Sequence, residues 1–267
     1  ISSKSDFTIV EGTGHSAVGS IADLSNAYVA ATLGLDVILV VPGGIGNAFD
    51  LLSLNKVFFE SHGVNIRGVI LNKVRRDKIE MVQEYFSKAL KKLDIPLIGC
   101  VPYSDFLSAF SLQDLSKLLD APFISGTSYS LRHFKHQRIV TISRTSYLKT
   151  ICPNQLVITS STREDIIEAT IQLHKKYSKE TNGKDLEGGL LLTGKTPPSK
   201  RICQLLEKAH LPAIHTRLSN YLAAKELASI SVKINHEDAC KVQRAIDLME
   251  KHIDFSCLGI TKEKDLL

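Results

Sequence analysis

The feature that most constrains the fold of this chain is a regular alternation of short apolar runs and helical patterns in its first half. The apolar runs are strand-sized and occupy residues 6–11, 36–41, 65–74 and 95–102. Apolar residues spaced by three or four predict helices over residues 22–33, 48–62, 76–93 and 111–119. Because short connections join each strand to a helix and each helix to the next strand, the pattern predicts an α/β fold with a parallel sheet.

The second half resumes this alternation after an interruption at residues 120–137, which mix Pro, Gly and Ser with basic residues and predict a linker. Strands are predicted at 138–143, 155–160, 188–194 and 212–216, and helices at 160–177, 196–210, 219–227 and 235–253. Charge also changes along the chain. Residues 1–125 carry 11 Lys or Arg and 13 Asp or Glu, whereas residues 126–267 carry 22 and 15. These shifts favour two domains.

Composition excludes several classes of protein. Of the 267 residues, 43% are hydrophobic and 23% are charged, which is typical of a globular protein and excludes disorder and coiled coils. No apolar run is long enough to cross a bilayer. Aromatic residues make up 6% and Trp is absent, so nothing predicts stacking platforms for nucleic-acid bases. Five scattered cysteines without a CxxC pair indicate reduced thiols in a cytoplasm.

Ligands of parallel sheets bind outside the carboxyl ends of the strands, so the residues at those ends are the first candidates for a site. Here they are Glu11, Pro42, Asn72 and Pro102. Glu11 is followed by Gly12 and Gly14, and a carboxylate with glycines behind it lets Mg²⁺ and phosphate approach the backbone. An acid that opens a glycine turn explains the same residues. The Asn72 amide can pair with a purine edge, or it can cap or turn the chain.

Two glycine turns could bind anions. In residues 42–47, Gly43 and Gly44 let backbone N–H groups converge, although this turn lacks the GxxxxGK[ST] pattern of a phosphate loop. In the second turn, Lys195 follows Gly194, but the upstream glycine of that pattern is Gly189, which falls inside a predicted strand. We interpret this GKT as a chance match to a phosphate loop. The basic second half could attract anions, or it could be a solvated surface.

Four segments of the first half, taken in order, resemble the dethiobiotin synthetase type of P-loop ATPase domain: TIVEGTGH (8–15), LGLDVILVVPGG (33–44), VNIRGVILNKV (64–74) and IPLIGCVPYSD (95–105). The second half resembles the DRTGG domain through residues 155–169, 187–202 and 232–254. This pair of domains, in this order, is similar to the N-terminal regulatory region of long bacterial phosphate acetyltransferases.

The resemblance implies a role for each strand-end residue. The magnesium-binding acid of the family would fall on Glu11, its base-reading Asn on Asn72, and the proline beside the nucleotide on Pro102. Gly12 and Gly14 would line the substrate or phosphate side. The family's first strand, its phosphate-binding loop and the helices that follow lie before residue 8, and this sequence lacks them. Because the chain starts at Ile1, directly before a predicted strand, we expect it to be a piece of a longer protein.

These observations predict an incomplete P-loop NTPase-like domain at residues 1–122, a linker at 123–137, a smaller α/β DRTGG-like domain at 138–257 and a tail at 258–267. We expect a nucleotide-binding regulatory module that takes Mg²⁺ and ATP in the intact protein, with Gly43 and Gly44 allowing close backbone approach.

Two alternatives remain open at this point. The intact protein could be an ATP-dependent ligase or amide synthetase of the dethiobiotin synthetase or cobyrinic acid diamide synthase type. Alternatively, the domain pair could drive oligomerisation without a ligand, through the apolar stripe of residues 235–253. The expected partners are a nucleotide or small-molecule metabolite and further copies of the chain, and no catalytic residue is assigned.

Overall fold

The computed structural model describes residues 7–230 and 232–258, and the chain divides into two compact units. Unit 1 comprises residues 1–104 and 243–267, and unit 2 comprises residues 105–242. Each unit contains one β-sheet with helices, which confirms the predicted α/β class. Within the described ranges, no helix is both long and apolar enough to cross a membrane.

Unit 1 is built on a parallel sheet with the strand order β1-β2-β3. Its first elements are α1 (Asn26–Leu33), β1 (Val37–Pro42), α2 (Gly46–Ser61), β2 (Ile66–Val74), α3 (Ile79–Lys91) and β3 (Leu97–Pro102). The sequence explains α3 directly, because Val82, Phe86 and Leu90 recur every four residues and form one buried stripe. This stripe shares a core with Leu52 of α2 and Leu71 of β2. All six elements overlap predicted ones.

The strand predicted at residues 6–11 is not formed in the part that the structure describes. Residues 7–13 have no regular secondary structure, and residues 7–11 are exposed. A strand needs a hydrogen-bonded neighbour, and no described residue pairs with this segment in a sheet. The turn that follows is held instead by Asn26, whose Nδ2 donates to the carbonyl oxygens of Thr13 at 3.0 Å and His15 at 2.8 Å. Glu11 therefore does not lie at a strand end.

Unit 2 contains a five-stranded sheet with the order β4-β8-β7-β6-β5. In chain order its elements are α4 (Asp105–Ser108), α5 (Leu112–Leu118), β4 (Phe123–Ser125), β5 (His136–Ile139), α6 (Arg144–Leu148), β6 (Gln155–Ser160), α7 (Glu164–Glu180), β7 (Gly189–Thr193), α8 (Lys200–Ala209), β8 (Ala213–Thr216) and α9 (Asn220–Ser229). Strands β5 to β8 are parallel, and β4 is antiparallel to β8. The central strands β6 and β7 are buried along nearly their whole length, as expected for strands covered on both faces.

Residues 120–137, predicted as a linker, contain β4 and the first residues of β5. Strand β4 is fixed by long-range contacts that the local sequence does not reveal. The Ser125 hydroxyl donates to the Leu211 carbonyl at 2.5 Å, and Gly126 adopts a φ of +67° against Pro212. A Cβ at Gly126 would lie 2.7 Å from the Pro212 Cα, so this turn requires glycine.

The last helix, α10 (Ala239–His252), begins in unit 2 and ends in unit 1. In unit 2, the Lys241 ammonium is only 1% exposed and donates to the Ala109 carbonyl, while His133 Nε2 lies 2.8 Å from Asp238 Oδ2. Burial lowers the pKa of both Lys241 and His133. These buried polar contacts fix the start of α10, because an unpaired buried polar group would be costly.

The end of α10 covers the edge of the unit 1 sheet. Gly99 of β3 forms an antiparallel bridge with Ile253, and the Asp254 N–H donates to the Ile98 carbonyl at 2.9 Å. A Cβ at Gly99 would lie 2.8 Å from the His252 carbonyl oxygen, so the glycine permits this approach. The sequence predicted a single domain at residues 138–257, whereas the structure assigns the residues from Gln243 onward to unit 1.

Candidate functional site

The carboxyl ends of β1, β2 and β3 form one edge of unit 1. Pro42 pairs with Asn72, and Val74 pairs with Pro102. Since neighbouring strands are about 4.8 Å apart, the ends of β1 and β3 are separated by roughly 10 Å along this edge. The structure thus brings together Pro42, Asn72 and Pro102, three of the four strand-end residues that the sequence singled out.

Asn72 lies where β2 becomes irregular. Its backbone carbonyl accepts from the Gly43 N–H at 2.6 Å, and its Oδ1 accepts from the Lys73 N–H at 2.9 Å. Lys73 has a φ of +58°, and the β2–β3 register shifts between Leu71 and Val74. Across the described residues, the Asn72 Nδ2 group makes no hydrogen bond within the chain. The side chain therefore turns the backbone with its oxygen and keeps two N–H donors for another group.

The glycines of the turn after β1 have different surroundings. A Cβ at Gly43 would lie 2.5 Å from the Cα and 2.8 Å from the N of Val74, so the backbones of the two strand ends touch there. At Gly44 the nearest atom to an added Cβ is the Ala48 Cβ, 4.0 Å away. Gly43 is therefore required by packing, while Gly44 leaves open space beside the edge.

The candidate glycines that precede α1 lie in an irregular segment that contacts α1 and α2, and not at the strand ends. A Cβ at Gly12 would lie 3.3 Å from the Asn26 side chain, and Gly14 has a φ of +73°. The Ser16 N–H donates to Asn55 Oδ1 of α2 at 2.9 Å. The contacts found for residues 12–16 thus attach this turn to α1 and α2. Gly12 allows the close approach of the Asn26 side chain, and Gly14 allows the positive φ of the turn.

A cleft of about 420 Å³ adjoins the end of β3 within unit 1. It is lined by Arg76, Ile79, Pro102, Arg244, Asp247, Leu248, Lys251 and His252. Burial lowers the pKa of His252, and the charges of Lys251 and Arg76 lower it further. Three cations therefore line the cleft, and Asp247 is the one acid that the described residues contribute to it.

Comparison with known proteins finds two domain families along the chain. Residues 1–111 match the AAA domain family, and residues 114–230 match the DRTGG domain family. Phosphate acetyltransferase of Pseudomonas aeruginosa is 30% identical over 274 residues, and that of Pseudomonas putida is 29% identical over 269 residues; each alignment covers 95% of this chain. The chain has the AAA–DRTGG architecture of the N-terminal region of long phosphate acetyltransferases.

The chain spans 37% of the length of these two phosphate acetyltransferases. A crystal structure of the CBS and DRTGG domains of the regulatory region of Clostridium perfringens pyrophosphatase, complexed with the activator diadenosine tetraphosphate, aligns with 81% of this chain and 87% of that chain. Its sequence identity is 16% and its TM-score is 0.38, so the similarity carries no argument about this chain.

The AAA domain offers one candidate ligand for Mg²⁺. Glu11 is exposed, and no hydrogen bond or ion pair of its carboxylate is found in the described ranges. Those ranges also contain no cluster of three or more His, Cys, Asp or Glu that could hold a metal by itself. A single carboxylate fits the way in which Mg²⁺ is bound by one or two acids together with substrate phosphates and water. Glu11 could thus hold the ion only together with a phosphate ligand.

In the DRTGG domain, the turn after β7 does not leave the backbone N–H of Gly194 free for a phosphate, as a phosphate loop would. The Gly194 N–H donates to the Leu218 carbonyl at 2.8 Å, and the Gly194 carbonyl lies 3.0 Å from His215 Nε2. Lys195 is exposed. Since the backbone donor of Gly194 is already used, the geometry agrees with the interpretation of this GKT as a chance match.

Sequence reasoning missed two groups of residues. The helix predicted over residues 22–33 includes Asn26, but the pattern did not indicate the contact of this residue with residues 12–16. Arg244 and Lys251 lie in the helix predicted over residues 235–253, for which the sequence indicated only the apolar stripe. No local signal connects α10 with the end of β3, because more than 140 residues separate them along the chain.

Proposed function

We propose that unit 1 is a nucleotide-binding regulatory module whose ligand is Mg·ATP, bound at the carboxyl edge of the β1-β2-β3 sheet. The observation that carries the proposal is the Asn72 side chain. It ends a strand of a parallel sheet, its oxygen is fixed by Lys73, and its Nδ2 donors are not used within the described residues. Such a fixed amide at a strand end is suited to reading one face of a base.

Adenine fits this amide better than guanine does. The Asn72 Nδ2 would donate to a ring nitrogen, and Oδ1, which has a second lone pair beyond the one used by Lys73, would accept from the exocyclic amine. Guanine carries a carbonyl oxygen, which is an acceptor, at the position where adenine carries this amine. Pro102, buried at the neighbouring strand end, would supply an apolar surface beside the base.

The phosphate side of the ligand would lie toward β1, where Gly44 leaves space, with Glu11 binding Mg²⁺ together with the phosphates. Among the described residues, strand β1 is one edge of the sheet, and Val40 there is 60% exposed, while Leu54 and Val57 of α2 are 71% and 66% exposed. An exposed apolar surface of this kind marks a site of interaction. We propose that the phosphate-binding part of the complete site is joined to unit 1 along this edge.

Regulation would follow from differential binding. If two conformations of the protein differ at the sheet edge, a nucleotide that binds one of them better shifts the population toward it. The presence of the AAA and DRTGG domains in phosphate acetyltransferases supports a role next to a catalytic domain, and not in the chemistry itself.

The test is the substitution Asn72→Asp in the full-length protein, with ATP and GTP titrated by calorimetry in the presence of Mg²⁺. Aspartate keeps the acceptor for the Lys73 N–H but loses both donors, so the preference for ATP over GTP should fall about tenfold or more. The added charge repels the phosphates of both nucleotides equally, so it cancels in the ratio.

Asn65→Asp, at the other end of β2, is the control for the added charge. It loses the hydrogen bond that Asn65 Nδ2 donates to Asp36 at 3.2 Å, but it lies away from the carboxyl edge and should leave the ratio unchanged. An unaltered ATP preference in Asn72→Asp would contradict the proposal. Glu11→Gln should remove the gain in ATP affinity that Mg²⁺ provides, without altering the ATP-to-GTP ratio; a Mg²⁺ dependence equal to that of the native chain would exclude Glu11 as the ligand.

A further inference from the structure

We infer that the cleft between the start of α3, the end of β3 and the C-terminal half of α10 is a second binding site, for a small metabolite that carries phosphate. The cleft adjoins the proposed nucleotide site at Pro102, but its charged groups are different ones. Three cations line it: Arg76, Arg244 and Lys251. None of the residues proposed to bind Mg²⁺ or read the base supplies these charges.

The two cations of α10 lie on one face of the helix. Arg244, Leu248 and Lys251 follow one another at intervals of four and three residues, which places them along one side over about two turns. At 1.5 Å per residue, Arg244 and Lys251 are separated by roughly 10 Å along the axis. The buried Leu248 between them forms part of the apolar wall, together with Ile79 and Pro102.

Arg76 is positioned from the opposite side. Its Nε donates to the Tyr103 carbonyl at 3.3 Å, just beyond the end of β3. This contact orients the guanidinium and leaves its terminal N–H groups available. A planar guanidinium with two free N–H groups matches the oxygens of a phosphate.

The positive charges of the cleft are not balanced by the chain. Among the described residues, Arg76, Arg244 and Lys251 form no ion pair within 4.0 Å, whereas Arg75 next in sequence pairs with Asp77 at 2.7 Å. The single acid, Asp247, accepts a hydrogen bond from the Gln243 amide at 2.8 Å. Three cations that line one cleft with a single carboxylate repel one another, and a bound anion reduces this repulsion.

The charge and the volume together define the ligand. A cleft of about 420 Å³ is within the range of small-molecule sites. Three cations against one carboxylate favour a ligand with at least two negative charges, and the apolar wall favours a compact organic part beside them. A small phosphorylated metabolite has these properties.

The test uses inorganic pyrophosphate as the probe, titrated into the chain by calorimetry at low ionic strength. The double variant Arg244→Gln/Lys251→Gln should bind pyrophosphate at least about tenfold more weakly, because two of the three cations are lost. Glutamine is a good helix former, so α10 is retained. Lys91→Gln/Lys92→Gln removes two exposed cations elsewhere in unit 1 and should leave the affinity unchanged.

A second variant is decisive because it should bind pyrophosphate more tightly than the native chain does, and a misfolded protein would not. Asp247→Asn removes the one carboxylate that the described residues contribute to the cleft and should strengthen pyrophosphate binding severalfold. The double variant Arg244→Gln/Lys251→Gln should leave the ATP-to-GTP ratio unaltered, so the nucleotide proposal and this one can fail separately. Equal losses in the two double variants, or an unchanged affinity in Asp247→Asn, would show nonspecific attraction to a basic surface and overturn the inference.

Discussion

Replacing Gly43 with alanine is expected to separate the carboxyl ends of β1 and β2 and to destabilise unit 1 by about 3 kcal/mol. The added Cβ would lie 2.5 Å from the Val74 Cα and 2.8 Å from its N, and both are backbone atoms that no change of rotamer can move. Relief of the clash must break the hydrogen bond from the Gly43 N–H to the Asn72 carbonyl. The loss of stability should thus be centred on the edge where the nucleotide is proposed to bind.

Hydrogen exchange localises this effect. In Gly43→Ala, the amides of β1 and β2 should lose protection, whereas those of β6 and β7 in unit 2 should keep it. Gly46→Ala is the control, because a Cβ at Gly46, the first residue of α2, meets no atom within 4 Å. It should be neutral or slightly stabilising. Native-like protection of β1 and β2 in Gly43→Ala would show that the two strand ends are not in contact.

The second large effect is expected at Tyr147 in unit 2. This side chain is fully buried, and it belongs to the core formed by β6, β7, α7 and α8. Replacing it with alanine should cost about 3–5 kcal/mol of unfolding free energy, because it leaves a large cavity between packed elements. Urea unfolding monitored through unit 2 amides measures the cost. A loss below about 1 kcal/mol would contradict the burial of Tyr147.

The hydroxyl of Tyr147 gives a pH-dependent signature of the same burial. It lies 2.8 Å from Thr170 Oγ1 and donates to it, because the Thr170 hydroxyl itself donates to the Ile166 carbonyl at 2.8 Å. Burial raises the pKa of Tyr147 from 10.0 to about 12. The unfolded chain therefore releases this proton first as the pH rises. The stabilisation is complete below pH 10, and roughly 2–3 kcal/mol of it is lost between pH 10 and 12. The stability of the native protein relative to Tyr147→Phe should therefore fall by that amount over this interval, and a constant difference would contradict the burial of the hydroxyl.

Much of the fold could be predicted because the strongest signals are local. Strands β1, β6 and β7 are runs of Val, Ile and Leu, and α3 shows its buried stripe in its spacing. Strand β4 and helix α6 were missed, because each is very short and β4 is held by residues of the distant β8 region. The strand expected at residues 6–11 has the right composition, but strand formation also needs a neighbour, which composition does not show.

The candidate site was predicted in part for a similar reason. Parallel strands place their carboxyl ends together, so Asn72 and Pro102 could be assigned to one edge from their sequence positions. The cations of α10 could not, because that helix is brought to β3 by tertiary contacts such as the bridge between Gly99 and Ile253 and the hydrogen bond from the Asp254 N–H to the Ile98 carbonyl. Asn26 was also missed, since its three hydrogen bonds to the turn at residues 13–15 depend on tertiary structure.

The most direct test of the account is the side-chain amide signal of Asn72 in an NMR titration of the full-length protein with Mg·ATP. The signal is assigned by its absence in Asn72→Asp. If Asn72 Nδ2 donates to the adenine ring, its two N–H resonances should shift and become protected from exchange with water as ATP binds, and Mg·GTP should have a much smaller effect. ATP binding that leaves both Asn72 resonances at their free positions would contradict the central claim.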